Sequence, residues 1–139
     1  MPSTTEVVLP VADIEDLVTD MTAMMRKISP TAGALMEVSG ERGAQDLKWG
    51  PQNHPDVAYD APIEAIAYLL GIPTADVARD NCDATFHAGR PSWAHVLVEE
   101  VSEAVEAGCE SDPAHLREEL VQCAAVCVAW IEAIDRRAA

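Results

Sequence analysis

The chain has 139 residues, of which 49% are hydrophobic and 24% are charged, and this balance fits one globular domain with a packed core. With 9 Lys and Arg against 24 Asp and Glu, its net charge is −15 at pH 7. A protein this acidic repels phosphate backbones and anionic lipid, which argues against binding of nucleic acid or of a membrane surface.

The sequence lacks the signals of membrane insertion or export. The longest nearly apolar run, residues 120–131, contains Gln122 and is shorter than the ~20 residues that a membrane span needs. The first residues carry acids and no basic cluster, unlike a signal peptide. The four cysteines form no C-x-x-C pair, so we interpret them as reduced core residues of a cytoplasmic protein, with a disulfide or metal site as the alternative. They are Cys82, Cys109, Cys123 and Cys127.

Two helices are predicted in the first third of the chain. Apolar residues at three- and four-residue steps predict a helix over residues 11–28, with acidic residues in its early turns. It ends at Ser29, because the following proline disfavours helical geometry in the residue before it. A second helix is predicted over residues 31–49, and residues 50–56, with one glycine and two prolines, are predicted to form a loop.

Two short helices are predicted next from their end signals. The first covers residues 62–70, with Pro62 suited to its first turn and Gly71 to its C-terminal cap. Thr74 can cap the second, which covers residues 75–84.

The last two helices have the clearest signals. Ser92 caps a helix over residues 93–107 that is predicted to end at Gly108. Asp112 supplies the N-cap of the final helix, residues 113–137, which has a proline at its first position. No segment alternates with a period of two and no repeat is present, so the predicted fold class is all-α.

The helix over residues 93–107 carries acidic residues on the face predicted to be buried. At about 100° per residue, Glu100 falls in the middle of its apolar stripe and Glu103 at the edge. Glu99 and Glu106 are predicted to point away from it.

The final helix repeats this pattern. Glu119 lies inside its apolar stripe, and Gln122 lies on the flank. The residues that define the stripe are Leu116, Leu120, Cys123, Val126, Cys127, Trp130 and Ile134. Trp130, and Trp93 on the preceding helix, are predicted to be core residues.

The inward acids suggest a cation. An unpaired buried carboxylate costs several kcal/mol, and neither helix carries a basic residue beside these acids on its inward face. A helical hairpin would bring the two acidic pairs together, and oxygen-rich clusters suit Mg²⁺ or Mn²⁺. The alternative is that the apolar stripes are narrower and that these acids are solvated at the surface.

The same residues resemble a known family. Residues 92–104 read SWAHVLVEEVSEA and residues 116–126 read LREELVQCAAV. They are similar to the E-E-x-x-E and E-x-x-D motifs of the MazG-like, all-α nucleotide pyrophosphohydrolases, with Gln122 where that family has Asp. Upstream, residues 49–56, WGPQNHPD, resemble a segment of small actinobacterial and phage members of the family.

The resemblance implies Mg²⁺-dependent hydrolysis, with Mn²⁺ as the other candidate ion. A nucleoside triphosphate, with either sugar, would be cleaved to a monophosphate and pyrophosphate. The implied metal ligands are Glu100, Glu103, Glu119 and Gln122, and Glu99 or Glu103 would accept the proton of the attacking water. Gln122 keeps an oxygen ligand and removes one negative charge, which is expected to weaken the site. A weakly active or inactive nucleotide-binding or interaction protein is therefore the alternative function.

Five upstream residues are candidates for binding the substrate. Lys48 and Arg42 could contact phosphate, Trp49 could stack on the base, and Asn53 or His54 could read its edge. Each has a structural alternative, since surface basic residues are common, Trp49 could anchor the core, and the other two could brace the loop. His95 and His115 are predicted to be surface residues away from the acidic face.

The predicted organisation is an N-terminal helical extension, residues 1–40, followed by a MazG-like domain, residues 41–139. The family forms dimers or larger assemblies, so a homodimer or higher homo-oligomer is expected.

Overall fold

A computed structural model describes residues 11–58 and 60–138, which contain six helices and no strand, as the all-α prediction requires. In chain order the helices are α1 (Val11–Ile28), α2 (Pro30–Trp49), α3 (Ile63–Leu70), α4 (Ala75–His87), α5 (Trp93–Cys109) and α6 (Pro113–Ala138). None of these described helices combines the length and the apolar character that crossing a bilayer requires.

Side-chain caps fix the start of the two longest predicted helices of the C-terminal half. The hydroxyl of Ser92 accepts a hydrogen bond from the backbone N–H of His95 at 3.3 Å, which starts α5. The carboxylate of Asp112 accepts from the N–H groups of Ala114 and His115 at 3.0 and 3.2 Å, which starts α6. Each cap satisfies N–H groups that have no partner within the helix.

Two predicted helix ends lie further along the chain than expected. α5 passes through Gly108, because the residue that reverses the chain with a left-handed φ of 59° is Ser111. α4 likewise continues to His87, just before the left-handed Gly89. Gly71, by contrast, has the left-handed φ of 71° at the predicted end of α3.

The chain forms two compact units, one ending at Gly50 and the other beginning at Pro51. α2 is continuous across residues 40 and 41, where the sequence suggested the start of the main domain. The two units meet where α2 ends, at a glycine with a φ of 67° followed by a proline, a pair that a helix does not continue through.

The first unit is a hairpin of α1 and α2. Its turn is short, because Ser29 separates the two helices and its hydroxyl accepts from the N–H of Ala32 at 3.3 Å. Gly33 is buried against Arg26 of α1, which also pairs with Glu37 across the hairpin.

The second unit is arranged around α5, which contacts α3, α4 and α6. Small side chains dominate its buried hydrophobic core, which comprises Ile66, Ala67, Ala75, Ala78, Cys82, Ala104, Ala107, Val128 and Ala133. Helix axes approach more closely when the contact residues are small, so longer side chains at the margins of these contacts can reach the neighbouring helix.

The buried face of α6 differs from the predicted stripe. Leu120 and Ile134 are exposed, at 53% and 49%, and so is Cys127. Val128 and Ala133, which the stripe left out, are buried. Among the described helices of the second unit, α5 is the only one that α6 packs against, and one neighbouring helix cannot cover a stripe as broad as the one predicted.

Two groups of predicted core residues are only partly buried. All four cysteines are free thiols, but only Cys82 is buried. Trp93 and Trp130 are half-buried. Most of the buried core positions are alanine, which covers less of its surroundings than a larger residue would.

Gly33 provides a test of the first unit. A Cβ at this position would lie 2.9 Å from the backbone Cα of Arg26 and closer still to its Cγ. Gly33→Ala should therefore push α1 away from α2 and lower the free energy of unfolding by about 1–3 kcal/mol, as measured by denaturant unfolding followed by circular dichroism.

Gly40→Ala is the matched control in the same helix. A Cβ there meets nothing within 4 Å, and alanine favours a helix interior over glycine, so this variant should be more stable by about 0.5–1 kcal/mol. Equal effects of the two substitutions would show that Gly33 is not required for the close approach.

Candidate metal centre

Three glutamates meet where α5 packs against α6. Glu100 and Glu103 lie one turn apart on α5, and Glu119 lies on α6. Each has a carboxylate oxygen within 4.8 Å of the others. These three residues, hereafter the carboxylate cluster, are the three acidic members of the predicted ligand set.

Glu100 is the member of the carboxylate cluster with a buried oxygen that lacks a described partner. Its Oε2 atom is buried, and no described residue forms a hydrogen bond with it. Burial raises the pKa of its carboxyl group, and the negative charges of Glu103, Glu119 and Glu99 raise that pKa further. The free energy of an ionised Glu100 is therefore high unless a cation reaches it.

Glu103 is paired with a basic residue of α4, a helix in which the sequence predicted no residue of the site. Arg79 of α4 donates a hydrogen bond from Nη2 to Oε1 of Glu103. Its Nε lies 3.7 Å from Glu99 Oε1, and its Nη1 lies 3.3 Å from Oδ1 of Asp76. The hydrogen bond with Glu103 is the largest of the effects that raise the pKa of Arg79.

Glu119 has a second basic partner, His115. The Nε2 atom of His115 lies 3.3 Å from Glu119 Oε1, and its Nδ1 lies 2.9 Å from Glu110 Oε2. The hydrogen bond with Glu110 raises the pKa of His115, so the imidazolium form is favoured. The prediction that His115 lies away from the acidic face is wrong, because the Asp112 cap places it in the first turn of α6, four residues before Glu119.

Gln122, the residue that departs from the family motif, also touches the cluster. Its Nε2 donates a hydrogen bond to Oε2 of Glu119 at 3.0 Å, although the residue is exposed. In this arrangement the amide holds the orientation of Glu119, and its oxygen remains available to a further partner.

The helix wheel predicted that Glu99 and Glu106 point away from the packed surfaces, and this prediction is wrong. Both are half-buried, since α4 covers the side of α5 that they occupy. Beyond its contact with Arg79, the carboxylate of Glu99 accepts a hydrogen bond from the thiol of Cys82. Burial is the first cause, and that hydrogen bond the second, of the rise in the pKa of Cys82 to about 11. The thiol therefore stays protonated at neutral pH.

A polar cavity of about 290 Å³ adjoins the carboxylate cluster. Helices α4, α5 and α6 all contribute to it. Its lining consists of Ala75, Asp76, Arg79, Glu103, Glu106, Ala107, Glu110, His115 and Glu119. Carboxylates outnumber basic groups in this lining, so the cavity attracts cations, and Arg79 and His115 are the groups in it that could bind an anion.

The upstream substrate candidates fall in both units. Arg42, Lys48 and Trp49 lie on α2 in the first unit. Arg42 is paired with Asp46 at 2.5 Å, and the Lys48 ammonium lies 4.7 Å from the centroid of the exposed Trp49 ring. These local contacts suit surface residues, and the predicted role of the three in binding substrate stays a prediction.

Asn53 and His54 lie in the loop that begins the second unit. Both are exposed, and neither lines the cavity beside the carboxylate cluster. The loop contacts the site's hairpin further along, where a Cβ at Gly108 would lie 3.6 Å from Val57. Base recognition by Asn53 or His54 also stays a prediction.

Sequence reasoning missed Arg79 and His115. The four-residue spacing of His115 and Glu119 was a readable signal for the histidine. Arg79 is the only Lys or Arg of α4, but its contact with α5 depends on how the two helices are rotated about their axes. A helix wheel contains no such information.

The chain matches no protein-family model, no curated protein and no solved structure. The resemblance to the MazG-like pyrophosphohydrolases therefore rests on the motif residues.

Glu100 gives a pH test of the site in the absence of divalent ions. Because the pKa of Glu100 is raised in the folded state, its contribution to stability is present below the ordinary pKa of a glutamate and is lost as the pH rises through the raised pKa. A glutamine at this position does not titrate. The melting temperature of Glu100→Gln minus that of the wild type should therefore increase as the pH rises from about 4 to about 7.

Glu118→Gln, which removes the same charge from an exposed position on α6, is the control and should show no such trend. A melting-temperature difference for Glu100→Gln that stays constant over the range would mean that Glu100 is not desolvated.

Proposed function

We propose that the protein is a divalent-metal-dependent nucleoside triphosphate pyrophosphohydrolase, with the carboxylate cluster as its ion site. The observation that carries this proposal is the convergence of three carboxylates from two helices, one of which, that of Glu100, has a buried oxygen with no described hydrogen-bond partner. The proposal agrees with the motif resemblance, which is independent of this geometry.

The donor set fits a hard divalent cation. Oxygens bound to one Mg²⁺ lie at most about 4 Å apart, so modest side-chain rotations would bring the three carboxylates onto one ion. Burial, and after it the repulsion among these charges, raises the pKa of Glu100, and a bound cation would relieve the repulsion. When bound, such an ion would neutralise phosphate charge and lower the pKa of a water molecule.

The chain's own residues would have separate roles. Glu100, Glu103 and Glu119 would hold the ion. Glu99 lies beside the cluster and outside it, so it is the better candidate to accept a proton from water. His115, with its raised pKa, would supply positive charge to the phosphate side of the cavity.

A second candidate function is supported by the contacts of Arg79, His115 and Gln122. Two carboxylates of the cluster already have basic partners, and Gln122 offers an uncharged amide where the motif has an acid. These features favour weak ion binding and therefore a nucleotide-binding protein without catalytic turnover.

The expected homo-oligomer remains part of the proposal. Leu120, Val121 and Ile134 of α6 are exposed apolar side chains that an assembly could cover.

Activity of the cluster variants distinguishes the two functions. Incubation with a panel of nucleoside triphosphates and Mg²⁺ should release pyrophosphate, and Glu100→Gln and Glu119→Gln should each lower the rate by about a hundredfold or more, since even groups that only support a metal ligand contribute 10–100-fold.

Glu118→Gln is the matched control and should keep the wild-type rate. Glu106 is unsuitable as a control, because it lines the cavity. Nucleotide binding without pyrophosphate release would favour the second candidate, and unchanged rates in both cluster variants would contradict the site.

Gln122→Asp tests the departure from the motif. A second carboxylate beside Glu119 would replace the amide hydrogen bond by repulsion, which a divalent ion relieves. Calorimetric titration should show Mg²⁺ binding about tenfold tighter, because contacts to charged groups are roughly twice as strong as contacts to neutral ones.

Gln122→Asn, which keeps an uncharged amide, is the comparison for Gln122→Asp. Equal or weaker Mg²⁺ binding by the aspartate variant would mean that position 122 only orients Glu119.

A further inference from the structure

Arg79 shares a carboxylate with the candidate ion site. It donates to Glu103 from α4, while Glu103 is also a member of the carboxylate cluster with Glu100 and Glu119. A divalent ion at the cluster and the guanidinium would therefore compete for the same carboxylate. The positive charges of the ion and of the guanidinium would also repel each other, so the binding of either one to Glu103 weakens the binding of the other.

The ion pairs of Arg79 are easy to break. The arginine side chain is 48% exposed, and the partner side chains of Asp76, Glu99 and Glu103 are 93%, 22% and 23% exposed. Because the guanidinium itself is half exposed to solvent, its ion pairs contribute little to stability, and Arg79 is not among the buried core residues. A divalent ion held by three carboxylates can displace it from Glu103.

The displaced guanidinium has a ligand site within reach, because Arg79 also lines the polar cavity. A planar guanidinium binds phosphate oxygens through two parallel hydrogen bonds, which suits it to a polyphosphate carried in with the ion.

We infer that Arg79 is an exchangeable counter-ion, which neutralises Glu103 in the ion-free protein and moves to phosphate oxygens of the ligand when a divalent ion takes that carboxylate. This inference rests on the ion site of the proposed function. It names Arg79 as a phosphate-binding residue and a polyphosphate–metal complex as the ligand class. The exchange keeps the charge of the site nearly balanced in both states.

Calorimetric titration of the full chain with Mn²⁺ alone tests the competition. Removal of the guanidinium in Arg79→Gln should tighten Mn²⁺ binding about two- to fivefold, the range that corresponds to an exposed ion pair. The gain should vanish in a Glu103→Gln background, because the competition acts through that carboxylate. Circular dichroism checks that each variant keeps its helices.

Arg117→Gln is the matched control for overall charge. Arg117 is exposed on α6, and its position two residues before Glu119 directs it to another side of the helix. The inference would be overturned if Arg117→Gln tightened Mn²⁺ binding as much as Arg79→Gln does, or if Arg79→Gln did not tighten it. It would also be overturned if the tighter binding persisted in the Glu103→Gln background. Absence of Mn²⁺ binding in every variant would overturn both the inference and the ion site.

Titration with the magnesium complex of inorganic tripolyphosphate tests the other half of the exchange. Arg79→Gln should bind this complex about tenfold more weakly than the wild type, and Arg117→Gln should bind it as the wild type does. Wild-type affinity in Arg79→Gln would overturn the phosphate role. If Arg79→Gln shows both expected shifts and the wild type hydrolyses no nucleotide, the inference stands and the proposed catalytic function fails.

Discussion

The charge arrangement of the second unit depends on Glu100, whose Oε2 is buried and has no described hydrogen-bond partner. Burial raises the pKa of this carboxyl group, and three other glutamates raise it further. An ionised carboxylate in such a place is costly unless a cation or a proton reaches it. The basic groups around it, Arg79 and His115, bind the neighbouring acids and leave Glu100 to be compensated by other means.

The alanine-rich core makes this arrangement possible. Ala104 and Ala107 are buried on α5, and Ala75 and Ala78 are buried on α4. Small residues allow close helix axes, so an arginine on α4 and a glutamate on α5 meet at the margin of the contact. With larger core residues the same side chains would be further apart, and the acids would be more exposed to water.

The local chemistry of the chain was largely readable from the sequence. Helix existence followed from apolar periodicity, and several ends followed from caps, such as Ser92 and Asp112 at the starts of α5 and α6. The i, i+3 spacing of Glu100 and Glu103 put them on one side of a helix, and the short connection to α6 brought Glu119 to them. Such features depend on neighbours within a few residues, which the sequence specifies directly.

Contacts between distant segments were decided by the tertiary structure. The wheel turned Glu99 and Glu106 away from the core, whereas α4 covers that side of α5 and brings Arg79 to Glu99. It also placed Leu120 and Ile134 in a buried stripe that a single neighbouring helix leaves exposed. The helices, their caps and the acidic pairs follow from the amino-acid sequence, because they depend on local spacing. Only the packing of α4 and α6 on α5 determined which acidic residues are paired with a basic residue. The rotation of each helix about its axis, and which helices it contacts, arise from interactions among residues far apart in the chain.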